Sequence, residues 1–428
     1  MSEQDGPRTE NRGQRRGPSR RSLLGLGCGA GMLLAGRGAD VARGATGAPT
    51  SRHTGGGPHA VAGIGTSLAM ADGALGANFN EKPGGTTPEV LDDLRTQWVR
   101  GCVAMPQLDT LQARDQRAIR ALLSFAESGY GTVLSLKFPY RGRVLPQPGT
   151  SAMHAELARL DKFLEVALGK IDILIIGNEP FIEARVEDHA ARLNPFYRAV
   201  AAHVIAERNR RRGAGCRTQL YMGALNRLDD PAWRTPAVDD WLAYVRSTPA
   251  IAGVDIHPHV VAIERAKVFT DYVLPRIRPR QRFLVTEFSL VHWWTQHWSD
   301  PVPVVYASRY RVPTGTMVWE AIRDAAAAPV SQQRWTDLLM NSPWFASRHD
   351  YLTNQVPQFR ATGRLAVATY GSVQQPAIVR DIGPTKMPWL LNSLYANRVA
   401  RPPQDSIAAH NPAFYEDFRA LQPAPRTP

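Results

Sequence analysis

Short apolar runs alternate with longer segments that carry helix signals along most of the chain. The runs have the length and the β-branched content of strands that are buried on both faces. Strands are predicted at residues 61–68, 98–105, 132–138, 171–180, 219–225, 253–260, 282–290 and 365–370. Strands that alternate with helices predict a parallel sheet, and eight of them predict closure into an α/β fold, the (β/α)8 TIM barrel.

Helices are predicted to begin at Pro88 and to span 108–128, 151–169, 195–211 and 387–397, because Pro and Ser favour helix starts and Gly favours helix ends. The polar, Gly-rich segment up to Pro88 is predicted to be a loop. About 75 residues separate strands seven and eight, with helical patches at 316–327 and 331–340. An insertion of this length is expected to form one wall of a cleft.

The fourth strand ends in two polar side chains. Its apolar run leads into Asn178 and Glu179, and Pro180 then stops the pairing because proline has no N–H to donate. In a parallel barrel the carboxyl ends of the strands carry the chemistry, so both side chains are candidate site residues. The alternative is a strand that leaves the sheet through polar residues of no functional importance.

A second carboxylate, Glu287, lies near the end of the seventh strand. Two carboxylates above two barrel strands can act as acid/base and nucleophile on a glycosidic bond. The alternative for Glu287 is a structural role in a salt bridge at the strand end. The two carboxyl groups then need different environments. We expect apolar surroundings to raise the pKa of Glu179.

The sixth strand carries Asp255, His257 and His259 at alternate positions, so all three can face the barrel interior. A His-x-His pair on a barrel strand can also bind a metal ion, as in metal-dependent hydrolases. Those enzymes usually place the pair on the first strand together with further ligands, and no such set is present on the first predicted strand. We therefore expect no metal or cofactor and keep the metal site as an alternative.

The long insertion opens with an aromatic cluster at residues 292–298, which contains Trp293, Trp294 and Trp298. Aromatic faces can stack on the apolar faces of sugar rings, so these side chains are candidates for sugar subsites. A small aromatic core beneath the insertion is the alternative.

The first fifty residues have the composition of a targeting signal. A twin-arginine pattern at Arg20 and Arg21 precedes a short apolar segment at 23–35, which is typical of a Tat export signal. Cys28 favours a lipoprotein only weakly, since Gly25 stands where a lipobox has Leu. We expect residues 1–50 to be signal and flexible segment, residues 51–428 to form the barrel domain, and the exported protein to be periplasmic or extracellular.

The chain is basic, with a net charge of +13, of which the segment after residue 50 contributes +9. A basic exported protein can favour acidic polymers, although a solvated Arg-rich surface is the preferred explanation of the charge. Nucleic acid is not an expected partner, because no long Lys/Arg run or RNA-binding motif is present. No later segment is long and apolar enough to span a membrane. The sequence does not decide whether Cys102 and Cys216 form a disulfide.

The Asn-Glu-Pro after strand four, a Glu after strand seven and a His on strand six resemble glycoside hydrolase clan A, whose members are retaining enzymes on a (β/α)8 barrel. The resemblance implies that Glu179 is the acid/base, that Glu287 is the nucleophile and that Asn178 binds a sugar hydroxyl. It also implies that Arg100 lies beside Glu287 and keeps this carboxylate charged, and that His257 is the histidine of the clan's His-x-Tyr motif on strand six. The family pattern has a tyrosine where His259 stands, and many members have a tryptophan where strand eight ends in Tyr370.

Together these observations predict an exported, monomeric hydrolase that cleaves β-linked glycans by a retaining mechanism. The catalytic candidates are Glu179 and Glu287. The candidate substrate-binding residues are Arg100, Asn178, Asn226, His257, His259, Trp293, Trp294 and Tyr370. A sugar-binding barrel without activity and a metal-dependent hydrolase that uses His257 and His259 are the alternatives.

The signal is testable by substitution. Replacing Arg20 and Arg21 by Lys should abolish export by the twin-arginine route, because the pair is the recognised feature. Immunoblots of fractionated cells would measure the exported protein, and N-terminal sequencing should show that it starts near residue 50. Unchanged export of the double Lys variant, or exported protein that begins at Met1, would contradict the signal.

Overall fold

The computed structural model describes residues 71–211 and 215–423. Eight parallel strands form a closed barrel, in which each strand pairs with the next along the chain and the last pairs with the first. The strands are β1 (Ala74–Asn80), β2 (Trp98–Ala104), β3 (Gly131–Lys137), β4 (Ile173–Ile176), β5 (Gln219–Asn226), β6 (Gly253–His257), β7 (Arg282–Val285) and β8 (Leu365–Gly371). The predicted (β/α)8 fold is confirmed.

The first strand differs from the prediction. The predicted strand at 61–68 and the export signal at 1–50 both lie outside the described residues. The first strand of the barrel is β1, within the segment that was predicted to be a loop. Gly76, Asn78 and Asn80 alternate with Leu75, Ala77 and Phe79, and these small and polar inward residues give β1 the composition of a loop.

Helices surround the barrel and fill the long insertion. They are α1 (Pro88–Asp93), α2 (Arg117–Glu127), α3 (Ser151–Ala167), α4 (Pro180–Glu183), α5 (Leu193–Arg211), α6 (Pro236–Ser247), α7 (Lys267–Val273), α8 (Val291–Gln296), α9 (Val304–Tyr310), α10 (Val318–Ala327), α11 (Gln332–Met340), α12 (Pro343–Ala346), α13 (Tyr351–Ala361) and α14 (Phe414–Ala420). Helices α8 to α13 lie between β7 and β8 and form the predicted insertion. Among the described residues, no helix is long and apolar enough to cross a membrane.

Two predicted helices are wrong in extent. The helix predicted at 108–128 is divided into 3-10 turns at Met105–Asp109 and Ala113–Asp115 followed by α2, and the side chain of Gln116 caps α2 by accepting from the Ile119 N–H. The helix predicted at 387–397 is only a 3-10 turn at Trp389–Asn392. Beyond that turn the backbone bridges to neighbouring segments, including a bridge between Gly371 and Ser393, and these contacts replace helical hydrogen bonds.

Apolar side chains pack in two places. A large core lies between the strands and the helices, and a smaller one fills the lower part of the barrel with side chains that include Trp98, Tyr221 and Leu284. The upper part of the barrel carries polar side chains, among them Arg100, Asp255 and His257, all fully buried. The chemistry therefore has to be sought at the carboxyl ends of the strands.

Gly177 determines how β4 turns towards that end. Its φ is +114°, and a Cβ at this position would lie 2.2 Å from the carbonyl oxygen of Gly223 on β5. We expect Gly177→Ala to lower the free energy of unfolding by about 3 kcal/mol or more, because it combines backbone strain with a collision between neighbouring strands. Denaturant unfolding followed by tryptophan fluorescence measures this loss.

Gly142→Ala is the matched control, since an added Cβ at Gly142 meets no atom within 4 Å. Its free energy of unfolding should stay within about 0.5 kcal/mol of the unmodified protein. Equal stability of the two variants would contradict the tight approach of β4 and β5.

Candidate active site

A single guanidinium group organises the upper barrel. Arg100, on β2, is fully buried and donates from Nη1 to Glu287 Oε1 at 2.6 Å. The same side chain donates to Asn178 Oδ1 at 2.8 Å and to Ser135 Oγ at 3.0 Å. It also donates to Asn80 Oδ1 on β1 at 2.8 Å. The predicted partnership of Arg100 with Glu287 is therefore present, and Arg100 connects residues of four elements.

Glu179 is placed by the turn after β4. Its backbone is in the left-handed region, with φ of +45°, and Pro180 begins α4 directly after it. A non-glycine residue in this conformation carries strain that the surrounding structure has to balance, which is common at functional sites. The carboxylate Oε1 of Glu179 lies 3.3 Å from His257 Nδ1 on β6. The turn therefore holds Glu179 over the barrel mouth.

The hydrogen bonds around His257 determine which of its nitrogens carries a hydrogen. Thr286 Oγ1 donates its only hydrogen to Asp255 Oδ2 at 2.5 Å. The contact of 3.0 Å between Thr286 Oγ1 and His257 Nε2 must then use a hydrogen on Nε2. His257 therefore presents Nδ1 to Glu179, and the facing lone pairs of Nδ1 and Oε1 require a proton or another cation between them.

His259 lies between the two glutamates. Its Nε2 is 3.9 Å from Glu179 Oε1 and 3.8 Å from Glu287 Oε2. Its Nδ1 contacts Ser289 Oγ at 2.8 Å, which fixes the ring. The side chains of Glu179, Glu287 and His259 are 13 %, 22 % and 12 % exposed, so all three line an opening to solvent. The structure therefore brings the two predicted catalytic carboxylates to one place.

Charges inside this cluster shift the pKa values in opposite directions. Burial alone would raise the pKa of Glu287, but the charges of His257 and Arg100 outweigh burial and lower it to about 2. Burial lowers the pKa of His259 to about 4, whereas the charge of Glu287 and the hydrogen bonds to Asp255 and Glu179 overcome burial and raise the pKa of His257 to about 10. Two imidazoles two residues apart therefore differ in charge near neutral pH.

The expected upward shift for Glu179 is wrong. Burial does raise the pKa of Glu179, but the hydrogen bond and the charge of His257 outweigh burial and leave the pKa lowered. The sequence shows that Glu179 and His257 can both face the barrel interior. It does not show that His257 Nδ1 contacts Glu179 and not Glu287.

A further carboxylate that the sequence analysis missed supports Asn178. Glu183, on α4, accepts from Asn178 Nδ2 at 3.0 Å and from the Phe138 N–H at 3.1 Å. Lys137 at the end of β3 pairs with Glu183 at 3.5 Å and with Glu81 at 2.9 Å. Asn178 is therefore held at both ends of its amide, by Arg100 and by Glu183, and one hydrogen of its amide stays available.

Trp294 and Tyr370 do not line the site. Trp294 is fully buried in the insertion, where its Nε1 donates to Asn392 Oδ1 and its ring packs on Phe345. Tyr370 is adjacent in register to Ala77, so it points outwards from the barrel, and its ring packs on Phe288. A fully buried ring cannot stack on a sugar, so the substrate-binding roles predicted for these two residues are wrong.

The other tryptophans of the cluster differ in how far they are buried. Trp298 is buried, and its Nε1 donates to the Gly383 carbonyl. Trp293 is half-buried, with its ring against His297 and Arg348. Within the described residues, the ring of Trp389 contacts His259, with the two centroids 4.9 Å apart; Trp389 is half-buried, and the sequence analysis missed it. The only sequence feature that could have indicated Trp389 is its position after the eighth strand.

Asn226 ends β5 beside His257, the residue with which it is in register. It is buried, and neither its Oδ1 nor its Nδ2 has a hydrogen-bond partner in the protein. A buried amide of this kind is suited to bind a polar group that enters from outside. The predicted substrate-binding role of Asn226 stays a prediction.

No protein-family model and no characterised protein sequence matches the chain. Solved structures with a similar course of the chain include a GH10 endoxylanase retrieved from sugarcane soil metagenome (13 % identity, 82 % of this chain and 97 % of that chain, TM-score 0.48). A fungal β-1,4-galactanase has 10 % identity over 81 % of this chain and 99 % of that one, with a TM-score of 0.43. A β-glucuronidase of Bacteroides uniformis has 12 % identity over 77 % and 33 %, with a TM-score of 0.42. The function has to be inferred from the site itself.

The central role of Arg100 is testable by Arg100→Lys. This change keeps the charge but removes the planar fork that binds Glu287 and Asn178 together, so the free energy of unfolding should fall by about 2–4 kcal/mol. Arg309→Lys is the control, because Arg309 is largely exposed and pairs with Asp337 at 2.7 Å. Its effect should stay within about 0.5 kcal/mol. Thermal unfolding compares them, and equal losses would contradict the role.

Proposed function

We propose that the protein is a glycoside hydrolase that cleaves a β-linked glycan with retention of configuration. The observation that carries this proposal is the placement of Glu179 and Glu287 on either side of His259 Nε2, at 3.9 and 3.8 Å, at the mouth of a (β/α)8 barrel. Two carboxyl groups in different environments are the requirement for glycosidic bond cleavage.

Glu287 is the nucleophile in this mechanism. The nearby charge of His257 and the bond with Arg100 keep it ionised, and Arg100 bonds to Oε1, while Oε2 lies 3.8 Å from His259 Nε2. Oε2 attacks the anomeric carbon and the bond to the leaving oxygen breaks, which gives a covalent glycosyl ester. Arg100 also holds Asn178 in place to bind the sugar hydroxyl next to the anomeric carbon.

Glu179 passes to the leaving oxygen the proton that it shares with His257, since the lowered pKa of Glu179 and the raised pKa of His257 place this proton on His257 Nδ1 before the reaction. The facing lone pairs of Glu179 Oε1 and His257 Nδ1 require one proton between them, and this proton is the one that passes to the leaving group. Glu179 then acts as base for the second step. It takes a proton from the water that attacks the anomeric carbon and frees Glu287, which restores the starting state.

The substrate enters over Trp389 and Asn226. The exposed part of the Trp389 ring is suited to stack on a sugar face, and the unpartnered amide of Asn226 is suited to bind a hydroxyl. The twin-arginine pattern supports export, so the substrate is a glycan outside the cytoplasm. We further propose that the protein works as a monomer, since one chain contains both carboxylates.

Separate substitutions of the glutamates test the mechanism. Glu287→Gln keeps the shape but removes the charge, so no covalent intermediate should form and hydrolysis should fall by at least about 10³-fold. Glu179→Ala should lose most activity on natural glycans but keep part of the first step on an aryl β-glycoside, whose leaving group needs little protonation. Added azide should then give a β-glycosyl azide, detected by NMR.

A crystal structure adds an independent check, because a retaining enzyme should place the two carboxyl groups about 5–5.5 Å apart. A separation of about 6.5–9.5 Å, or an α-azide product from Glu179→Ala, would contradict Glu287 as the nucleophile. Sugar binding with no hydrolysis of any β-glycan tested would instead favour the sugar-binding barrel without activity.

Trp389 is the residue to test for sugar binding. Trp389→Ala should weaken the binding of a cleaved oligosaccharide by about 1–3 kcal/mol, because a stacking face is lost. Trp319→Ala is the control, a half-buried indole in α10 with Arg323 over its ring. Calorimetric titration into Glu287→Gln protein measures binding without turnover. Equal losses in both variants would contradict the platform.

A further inference from the structure

Three potential ligand atoms converge at the barrel mouth. The carboxylate of Glu179 and one ring nitrogen each of His257 and His259 lie within 4.8 Å of one another. The distance from Glu179 Oε1 is 3.3 Å to His257 Nδ1 and 3.9 Å to His259 Nε2. Ligands at about 2.1 Å from a tetrahedral ion are about 3.4 Å apart, so the first pair already has this spacing and the others need a movement on the order of an ångström.

The outer nitrogen of each imidazole is anchored. His257 Nε2 donates to Thr286 Oγ1 at 3.0 Å and lies 3.5 Å from Asp255 Oδ2, and His259 Nδ1 contacts Ser289 Oγ at 2.8 Å. Metal-binding histidines usually have such a partner on the nitrogen that does not face the metal, because it fixes the ring and the tautomer. Both rings therefore direct their free nitrogen into one small space.

A second carboxylate lies beside these three ligands and can become the fourth by moving towards the ion. Glu287 Oε2 lies 3.8 Å from His259 Nε2, while Arg100 holds the other oxygen of this carboxylate. With neutral imidazoles, Glu179 and Glu287 carry two negative charges, of which Arg100 balances one, so the cluster keeps a negative charge that favours a divalent ion. A set of imidazole and carboxylate ligands suits Zn²⁺ and the neighbouring transition metals better than Mg²⁺ or Ca²⁺.

We propose that Glu179, His257 and His259 bind one divalent transition-metal ion such as Zn²⁺, with Glu287 as the fourth ligand. The ion takes the place of the proton that the facing Glu179 and His257 otherwise require. This site goes beyond the proposed hydrolysis and does not depend on it. Where the protein is a hydrolase, the ion inhibits it, because the bound carboxylate of Glu179 cannot deliver a proton to the leaving oxygen.

Metal binding is measured on the full chain after removal of metals by a chelator and dialysis. Calorimetric titration with ZnCl₂ should show one tightly bound ion per chain. Titration with CoCl₂ should produce visible d–d absorption of the strength typical of a four- or five-coordinate ion, which ZnCl₂ should then displace. Absence of both signals would overturn the proposal.

Three substitutions locate the ion. His259→Gln should weaken Zn²⁺ binding by more than about 100-fold, and Ser289→Ala should weaken it by about 10–100-fold, because this change removes only the partner that fixes the ring. His203→Gln is the control, since His203 is on α5 and pairs with Asp161 at the surface. Zn²⁺ affinity in His259→Gln equal to that of His203→Gln would place the ion elsewhere and overturn the proposal.

Measuring hydrolysis with and without Zn²⁺ distinguishes the metal-site proposal from the hydrolase proposal. One equivalent of Zn²⁺ should suppress hydrolysis of a glycan that the metal-free protein cleaves, and a chelator should restore it. Full activity of the protein with Zn²⁺ bound would overturn the assignment of the site to Glu179. If the metal-free protein cleaves no glycan, the hydrolase proposal fails, while the calorimetric and spectroscopic results still decide the metal site.

Discussion

The upper half of the barrel depends on one buried positive charge. Arg100 has no exposed surface, and a guanidinium group in that position is tolerated only when all of its hydrogens have partners and an anion lies nearby. Glu287 provides the anion at 2.6 Å, and side chains from other elements provide the acceptors. The need to satisfy this one group therefore places Glu287 and orients Asn178.

A second constraint follows from the first. Once Glu287 is held as an anion, the charge of Glu179 next to it has to be balanced, and His257 does this at 3.3 Å. His257 is itself held by Thr286, whose only hydroxyl hydrogen goes to Asp255. This chain of contacts gives the site a fixed proton between two acceptors. The same feature makes the site suited both to general acid catalysis and to a cation that replaces the proton.

The insertion between β7 and β8 illustrates how aromatic side chains divide between core and site. Trp294 and Trp298 are buried beneath it, and each donates its indole N–H to an acceptor within the protein. Burial of these rings stabilises a segment that has little regular sheet of its own. Trp389 comes from a turn after β8 and is the ring that contacts His259. An aromatic ring therefore does contact a residue between the two glutamates, but it comes from a different segment than the tryptophan cluster of the sequence.

The sequence by itself determined the barrel, because continuous apolar runs separated by helix signals can be recognised without knowledge of neighbouring segments. Seven of the eight strands were located in this way. It failed at β1, whose inward residues are small or polar: Gly76 lies against Trp98, and Asn78 and Asn80 accept hydrogen bonds from Arg100. It also indicated that Glu179 and Glu287 lie close together, since residues at strand ends meet in any closed parallel barrel, whereas Arg100 and His257 were indicated by the resemblance to clan A. Only the tertiary structure decided which nitrogen of His257 faces Glu179, that Glu183 supports Asn178, and that Tyr370 points outwards while Trp389 reaches the site. These outcomes depend on contacts between distant segments and on side-chain direction, and neither leaves a local pattern in the sequence.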